Sequence, residues 1–167
     1  MAVLDALMVP RLGSWTIEDA TGTPIKVTVT YDRGDIKIGP LRAGNLKQEV
    51  VKVRGIDTFV VETEEEEVRI SGSCYITDGT DATEKLIMDA FRKTGAFASG
   101  VSTLGANRPW ALKFVYTQDS TAYGASADTV VTATKVCDLS GEFSEEDKGL
   151  FTWSGRIFNP SSTLSIT

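Results

Sequence analysis

Apolar and polar residues alternate along most of this chain, and this period of two constrains the fold more than any other feature. The pattern is clear in PIKVTVTY, residues 24–31, and continues for ten residues in VRISGSCYIT, residues 68–77. Successive side chains of a strand point to opposite faces of a sheet, so each such segment predicts a strand with one buried face. The recurrence along the chain predicts about eight or nine strands.

One segment has a helical period instead. In TEKLIMDAFRKTG, residues 83–95, four apolar residues fall on one stripe: Leu86, Ile87, Ala90 and Phe91. Lys93 suits the last turn and Gly95 the C-terminal cap, so we expect one helix at about 81–94. Many strands with one helix predict a mainly β protein, in which a β-sandwich or curled antiparallel sheet carries one flanking α-helix.

The pattern leaves one long stretch open. LRAGNLKQEVVKVRGIDTF, residues 41–59, mixes valines with Lys47, Lys52 and Arg54, and it fits either a hairpin or a protruding loop. We expect a single domain at residues 15–158, with an N-terminal arm at 1–14 and a C-terminal arm at 159–167.

Composition excludes several classes of function. The chain has 167 residues, 41% of them apolar, which is typical of a soluble globular protein. Its net charge of −6 indicates a protein that does not bind phosphates tightly. It has no histidine, the commonest general base and a frequent zinc ligand. The apolar N-terminus is interrupted by Asp5 and lacks a preceding basic residue, so we expect no export signal and no membrane anchor.

The four consecutive glutamates Glu64, Glu65, Glu66 and Glu67 are the most charged feature. Consecutive residues of an extended chain point to opposite faces, and no glycine shapes a loop here, so they cannot all reach one ion. We expect a solvated hairpin tip. Cys74 has no histidine to activate it, and no cofactor or metal motif is present. The sequence therefore predicts a protein that assembles, not an enzyme.

In chain order, the strand VRISGSCYITDGTD, the helix ATEKLIMDAFRKTG, the closing hairpin LSGEFSEEDKGLFTWSGRIF and the polar tail resemble the tail tube (major tail) proteins of long-tailed bacteriophages. The resemblance covers about residues 20–160 and rests on the order of elements and the glycines and aromatic residues of the closing hairpin. It implies a homo-oligomer of stacked hexameric rings in the virion tail, assembled in the host cytoplasm, with viral DNA passing through the lumen without specific binding. Tape measure and terminator proteins are the other implied partners, and no membrane is involved.

The resemblance also suggests where the sites lie. The four glutamates would lie near the lumen or at the rim of a ring, where their charge repels DNA. Contacts between rings would come from the arms and the stretch 40–58, with these candidates: Leu4, Leu7, Met8, Pro10, Lys47, Lys52 and Arg54.

Two alternatives remain open at this point. The chain could be another virion component of similar fold, such as a tail terminator or a head decoration protein. It could also be a β-sandwich module that binds a carbohydrate or peptide, with Trp110 or Trp153 as a stacking platform. Trp153 alternates with residues typical of a core, so we expect it to be buried.

Overall fold

The computed structural model describes residues 13–29, 34–75, 81–121, 124–146 and 149–167. Its strands are β1 Gly13–Glu18, β2 Lys26–Val29, β3 Lys37–Gly39, β4 Leu46–Val53, β5 Ile56–Glu65, β6 Arg69–Tyr75, β7 Leu112–Gln118, β8 Thr129–Ser144, β9 Leu150–Ile157 and β10 Leu164–Ile166. Its helices are α1 Asp81–Arg92 and the short α2 Pro160–Thr163. The prediction of a mainly β protein with antiparallel pairing is confirmed. Neither helix of this described part is long and apolar enough to span a membrane.

Eight strands form one antiparallel sheet. Its order is β2-β1-β7-β8-β9-β6-β3, and β10 pairs with the first half of β8 beside β9. The strand β8 is 16 residues long and pairs with β7 at its start and with β9 at its end, so it joins the two halves of the sheet. Among the strands that the structure describes, the remaining two, β4 and β5, pair only with each other.

The main sheet curls around its core. Trp15 on β1 and Trp153 on β9 lie three strand positions apart, which in a flat sheet would separate them by about 14 Å. Their ring centroids are 5.3 Å apart, and Phe114 on β7 lies 5.3 Å from Trp153. The two halves of the sheet therefore face each other across an aromatic cluster, and the alternating apolar residues of the strands fill the space between them.

Helix α1 covers this cluster, as the helical stripe predicts. Phe91 packs its ring 5.3 Å from Phe151 and 5.6 Å from Trp153. The indole N–H of Trp110 donates a hydrogen bond of 2.7 Å to the carbonyl of Ala90 and so ties the segment before β7 to the helix. Helix α1 thus closes one side of the core.

The predicted end of this helix is wrong by two residues. The last helical residue is Arg92, and Lys93 has a left-handed backbone with φ of 54°. The N–H of Thr94 donates to the carbonyl of Asp89 at 3.0 Å, which is the bond of a Schellman-type C-terminus. Lys93, not Gly95, therefore terminates the helix.

The two predicted arms have different outcomes. Residues 1–12 lie outside the described residues, and with them the candidates Leu4, Leu7, Met8 and Pro10. Residues 159–167 do not form a free arm: Pro160 and Thr163 are buried in α2, and β10 adds an edge strand to the chain's own sheet. The reason is that Thr163 donates to the carbonyl of Phe158 at 2.6 Å, which holds α2 against the end of β9.

A buried carboxylate fixes the connection between β1 and β2. Asp19 is 3% exposed and accepts hydrogen bonds from the N–H groups of Ile25 at 2.8 Å and Val101 at 3.1 Å. Burial alone would raise its pKa, but these bonds and those from Thr21 outweigh it and hold the pKa of Asp19 below its ordinary value. Asp19 therefore ties β1 to the loop that follows α1.

We expect Asp19→Asn to lower the free energy of unfolding by about 1–3 kcal/mol at pH 7, because the amide cannot accept all of these bonds as a carboxylate does. The native pKa is lowered, so the stabilisation is full above the ordinary aspartate pKa of about 3.9 and is lost as pH falls through the native value. Urea unfolding at pH 7 and at about pH 3 measures this difference. The matched control, Asp57→Asn on an exposed strand, should cost under about 0.5 kcal/mol, and a cost for Asp19→Asn that persists unchanged in acid would contradict the assignment.

Candidate assembly surface

The stretch that the sequence left open is a hairpin that stands apart from the main sheet. Strands β4 and β5 are joined by the two-residue turn Arg54–Gly55, whose φ angles are 53° and 78°. Two successive positive φ values define a type I′ turn, which matches the twist of a two-stranded ribbon. Every residue of β5 and most of β4 are exposed. The structure thus shows that the stretch left open by the sequence forms a protruding hairpin.

One face of this hairpin is apolar. Residues paired across two strands share a face, and the pairs Val51 with Phe59 and Val53 with Ile56 lie next to each other. We call this surface the apolar hairpin face; it consists of Val51, Val53, Ile56, Phe59 and Val61, with Glu49, the cross-strand partner of Val61, at its end nearer the base. Ile56 is 71% exposed and Phe59 54% exposed. Large apolar side chains are therefore presented to solvent on one side of the hairpin.

A β-bulge creates this face. Ile56 and Phe59 are three residues apart, so in a regular strand they would point to opposite sides. The register shifts between the Val51 and Lys52 pairs and leaves Thr58 without a direct partner, which brings Ile56 and Phe59 to the same side. The bulge is the reason that the sequence IDTFVV shows no simple alternation.

The opposite face is mostly polar. It carries one apolar pair, Val50 with Val60, between the polar pair of Gln48 with Glu62 and the pair of Lys52 with Asp57. Lys52 Nζ lies 3.5 Å from Asp57 Oδ1, and both side chains are well exposed. The hairpin is therefore amphipathic, and within the described ranges its strands pair with no strand of the main sheet.

Such a hairpin gains little stability from its own chain. A two-stranded hairpin is at best marginally stable in water, and stability normally requires a third strand or a packed face. Contiguous exposed apolar side chains on a soluble protein mark a surface that contacts a partner. The apolar hairpin face is therefore the strongest candidate for an interface in the described part of the chain.

The four glutamates lie at the base of this hairpin, and the expected position at a hairpin tip is wrong. Glu64 and Glu65 end β5, and Glu66 and Glu67 link it to β6. The physical reason is that Arg54–Gly55 adopts the positive φ angles that a tight turn needs. At the base the backbone stays paired instead, since the N–H of Glu66 donates to the carbonyl of Asn45 at 2.6 Å.

Two of these glutamates pair with cations from the other side of the hairpin base. Lys47 Nζ donates to Glu64 Oε1 at 2.7 Å, and Arg42 Nε lies 2.8 Å from Glu66 Oε2. The hydrogen bond between Lys47 and Glu64, reinforced by their opposite charges, raises the pKa of Lys47 and lowers the pKa of Glu64. Lys47 is thus engaged within its own subunit, in an exposed pair that adds little stability.

The other two glutamates differ in their surroundings. Glu67 Oε1 accepts a hydrogen bond of 2.7 Å from Arg69, and its second oxygen lies 3.8 Å from Arg156. Glu65 is exposed and has no ion pair with any cation of the described residues. Most of the negative charge of the run is therefore compensated, and Glu65 carries what remains.

The three cations that the sequence suggested for contacts between rings also differ in their ion pairs. Lys47 pairs with Glu64 and Lys52 with Asp57, whereas Arg54 lies in the exposed turn, with no ion pair within the described ranges. The hairpin thus has an uncompensated cation at its tip and an uncompensated carboxylate, Glu65, at its base.

A pocket of about 400 Å³ opens at the base of the hairpin. We call it the base pocket; its lining residues are Glu65, Glu66, Glu67, Arg156, Ile157, Phe158, Asn159 and Pro160. It lies where the hairpin joins β6, next to the end of β9 and the start of α2. Acidic groups at one side and apolar groups at the other give it a mixed character.

A second groove, of about 350 Å³, crosses the outer face of β6, β9 and β8. Ser71, Ser154 and Ser140 are neighbours across these strands, and the last two hydroxyl groups lie 3.2 Å apart. Trp153 borders this groove but is only 2% exposed, which confirms its predicted burial. Trp153 cannot serve as a stacking platform for a ligand.

Across the described ranges, no group of three or more cysteine and acidic side chains is arranged to hold a metal ion. No protein-family model, no curated protein and no solved structure matches the chain.

Proposed function

We propose that this chain is a structural subunit that assembles with its own copies into stacked rings, forming the tail tube of a long-tailed bacteriophage through which DNA is ejected. The observation that carries the proposal is the hairpin of β4 and β5, whose apolar face is uncovered in the single chain. Covering this face in a neighbouring subunit supplies the packing that a two-stranded hairpin lacks.

The main sheet supports a ring-forming subunit of tail-tube type. Its curled halves and flanking α1 correspond to a sandwich-like wall with a helix on one side. Strand β7 pairs with β8 only as far as Val136, so the edge of β8 at residues 138–143 on that side has no partner strand among the described residues. An open edge on one subunit can accept a strand of the next, and a head-to-tail contact of this kind closes a ring when the rotation fits.

The charges suit a lumen that DNA crosses without binding. The net charge of −6 disfavours tight binding of phosphates, and at the hairpin and its base ion pairs engage Arg42, Lys47, Lys52 and Arg69. We propose that Glu64, Glu65, Glu66 and Glu67 lie near the lumen or at the rim of a ring, where the uncompensated Glu65 is repeated around the axis. Hexameric rings, with tape measure and terminator proteins as further partners, complete this proposal.

Sedimentation velocity at increasing protein concentration tests self-assembly. We expect the 18.0 kDa subunit to give way to species of at least ring size as the concentration rises, because each interface covers an apolar hairpin face. A binding module for a carbohydrate or peptide would sediment as a monomer throughout. If this protein stayed monomeric even at millimolar concentration, the proposal of self-assembly would be contradicted.

A further inference from the structure

The tip of the hairpin has the features of an inserting element. It consists of residues 53–56, in which Val53 is 52% and Ile56 71% exposed, on either side of the turn. Arg54 projects from that turn, and no carboxylate of the described residues forms an ion pair with it. The tip therefore combines a cation that has no ion pair within the described ranges with two apolar side chains that are more than half exposed.

The base pocket has the complementary features. Ile157 and Pro160 are buried beneath it, and the ring of Phe158 is half exposed at its edge. Glu65, the one member of the glutamate run without a cationic partner in the described ranges, lines the same pocket. The cation that lines the pocket, Arg156, lies 3.8 Å from Glu67 and leaves the charge of Glu65 uncompensated. An apolar floor beside this carboxylate is the counterpart of an apolar tip that carries a free cation.

The tip and the base pocket of one chain cannot meet. Strand β5 runs from one to the other over 10 residues, which at about 3.4 Å per residue separates them by about 30 Å. They can therefore come together only between two copies of the chain. We propose that the hairpin tip of one copy docks in the base pocket of the next, where Arg54 pairs with Glu65 and Ile56 packs against Phe158.

This contact is head-to-tail, so every copy both inserts a tip and receives one. It rests on the proposed self-assembly and adds the identity of the contacting residues. The hairpin then acts as a spacer that sets the distance between neighbouring copies at about the length of its strands. It also gives Glu65 a role within the assembly, as the group that recognises the tip.

A charge exchange tests the pairing. We expect Arg54→Glu and Glu65→Arg each to raise the concentration needed for assembly by about tenfold, and the combined variant to recover most of that loss. Arg42→Glu is the matched control for reversing a cation near the base, and Glu65→Arg should not rescue it. The pairing of Arg54 with Glu65 is wrong if both single variants assemble at the same concentration as the natural protein. It is also wrong if the free-energy loss of the combined variant equals the sum of the two single losses.

Disulfide trapping tests the same contact without reference to charge. Ile56→Cys and Phe158→Cys are prepared separately in a Cys137→Ser background, mixed at assembling concentration and oxidised; Cys74 is buried. We expect a disulfide-linked pair from the mixture, and none when Val60→Cys replaces Ile56→Cys, because Val60 lies on the opposite face of the hairpin. Assembled protein that yields no tip-to-pocket link would overturn the docking but leave the tail tube proposal standing. If the natural protein never assembled, both the docking of the hairpin tip and the tail tube proposal would be overturned.

Discussion

The combined change Ile56→Thr and Phe59→Thr is expected to raise the concentration needed for self-assembly by about fiftyfold while leaving the subunit folded. Both side chains belong to the apolar hairpin face, and each is more than half exposed in the single chain. Threonine keeps the preference of these positions for extended structure, so the hairpin itself should persist. The loss is therefore confined to apolar surface that the described residues of the same chain leave exposed.

The size of this effect follows from the buried area. Full burial of an isoleucine or phenylalanine contributes about 1.5–3 kcal/mol, and 71% of Ile56 and 54% of Phe59 are still exposed before assembly. Their joint loss should weaken each interface by about 2–3 kcal/mol, and every 1.4 kcal/mol corresponds to about a factor of ten in affinity. Sedimentation velocity gives the assembly concentration, and thermal unfolding of dilute protein confirms that the fold is unchanged.

Val50→Thr with Val60→Thr is the matched control, because this pair lies on the polar face of the same hairpin. We expect it to shift the assembly concentration by less than about threefold. Equal effects of the two double variants would show that the apolar hairpin face has no special part in assembly, and no effect of either would remove the hairpin from the interface.

Trp153→Ala is expected to lower the free energy of unfolding by about 3–5 kcal/mol, the largest effect on folding of any change considered. The indole is 2% exposed and lies among the rings of Trp15, Phe114 and Phe91, at centroid distances of 5.3–5.6 Å. Its N–H has no hydrogen-bond partner among the described residues, so ring contacts and burial account for the effect. A domain of this kind is stable by about 5–15 kcal/mol, so the variant should be close to unfolding at 37 °C.

Urea unfolding measures this loss. Phe143→Ala is the aromatic control: Phe143 is half exposed on β8 and should cost under about 1 kcal/mol. If Trp153→Ala and Phe143→Ala lowered the free energy of unfolding by similar amounts, the placement of Trp153 in the aromatic cluster between the two halves of the sheet would be contradicted. The same experiment checks the curl of the sheet, because only a curled sheet brings the four rings together.

The regular elements could be predicted from the sequence because their periods are undisturbed. In β6 and β9 the apolar residues fall on alternate positions and are buried as expected, and the stripe that includes Ile87 and Ala90 in α1 faces the core. Local patterns of this kind need no knowledge of distant contacts.

The sequence left a hairpin as one of two alternatives, but the apolar face of that hairpin and the ion pairs at its base could not be predicted, because both depend on pairing between segments. The bulge at Thr58 interrupts the alternation of apolar and polar residues in β5, so the sequence pattern does not indicate that one face of this strand is apolar. The glutamates look like a turn because they are charged, yet Lys47, Arg42 and Arg69 pair with three of them and keep that part of the chain at the base. Likewise, nothing local in the polar sequence after Asn159 indicates that it adds β10 beside β8.

Negative-stain electron microscopy of the purified, concentrated protein tests the central claim most directly. The proposed function predicts hollow tubes with a regular axial repeat, built of stacked rings with an open lumen, and the Ile56→Thr and Phe59→Thr variant should lack them at the same concentration. Fields that contain only isolated particles of subunit size, under conditions in which the protein is folded, would contradict it.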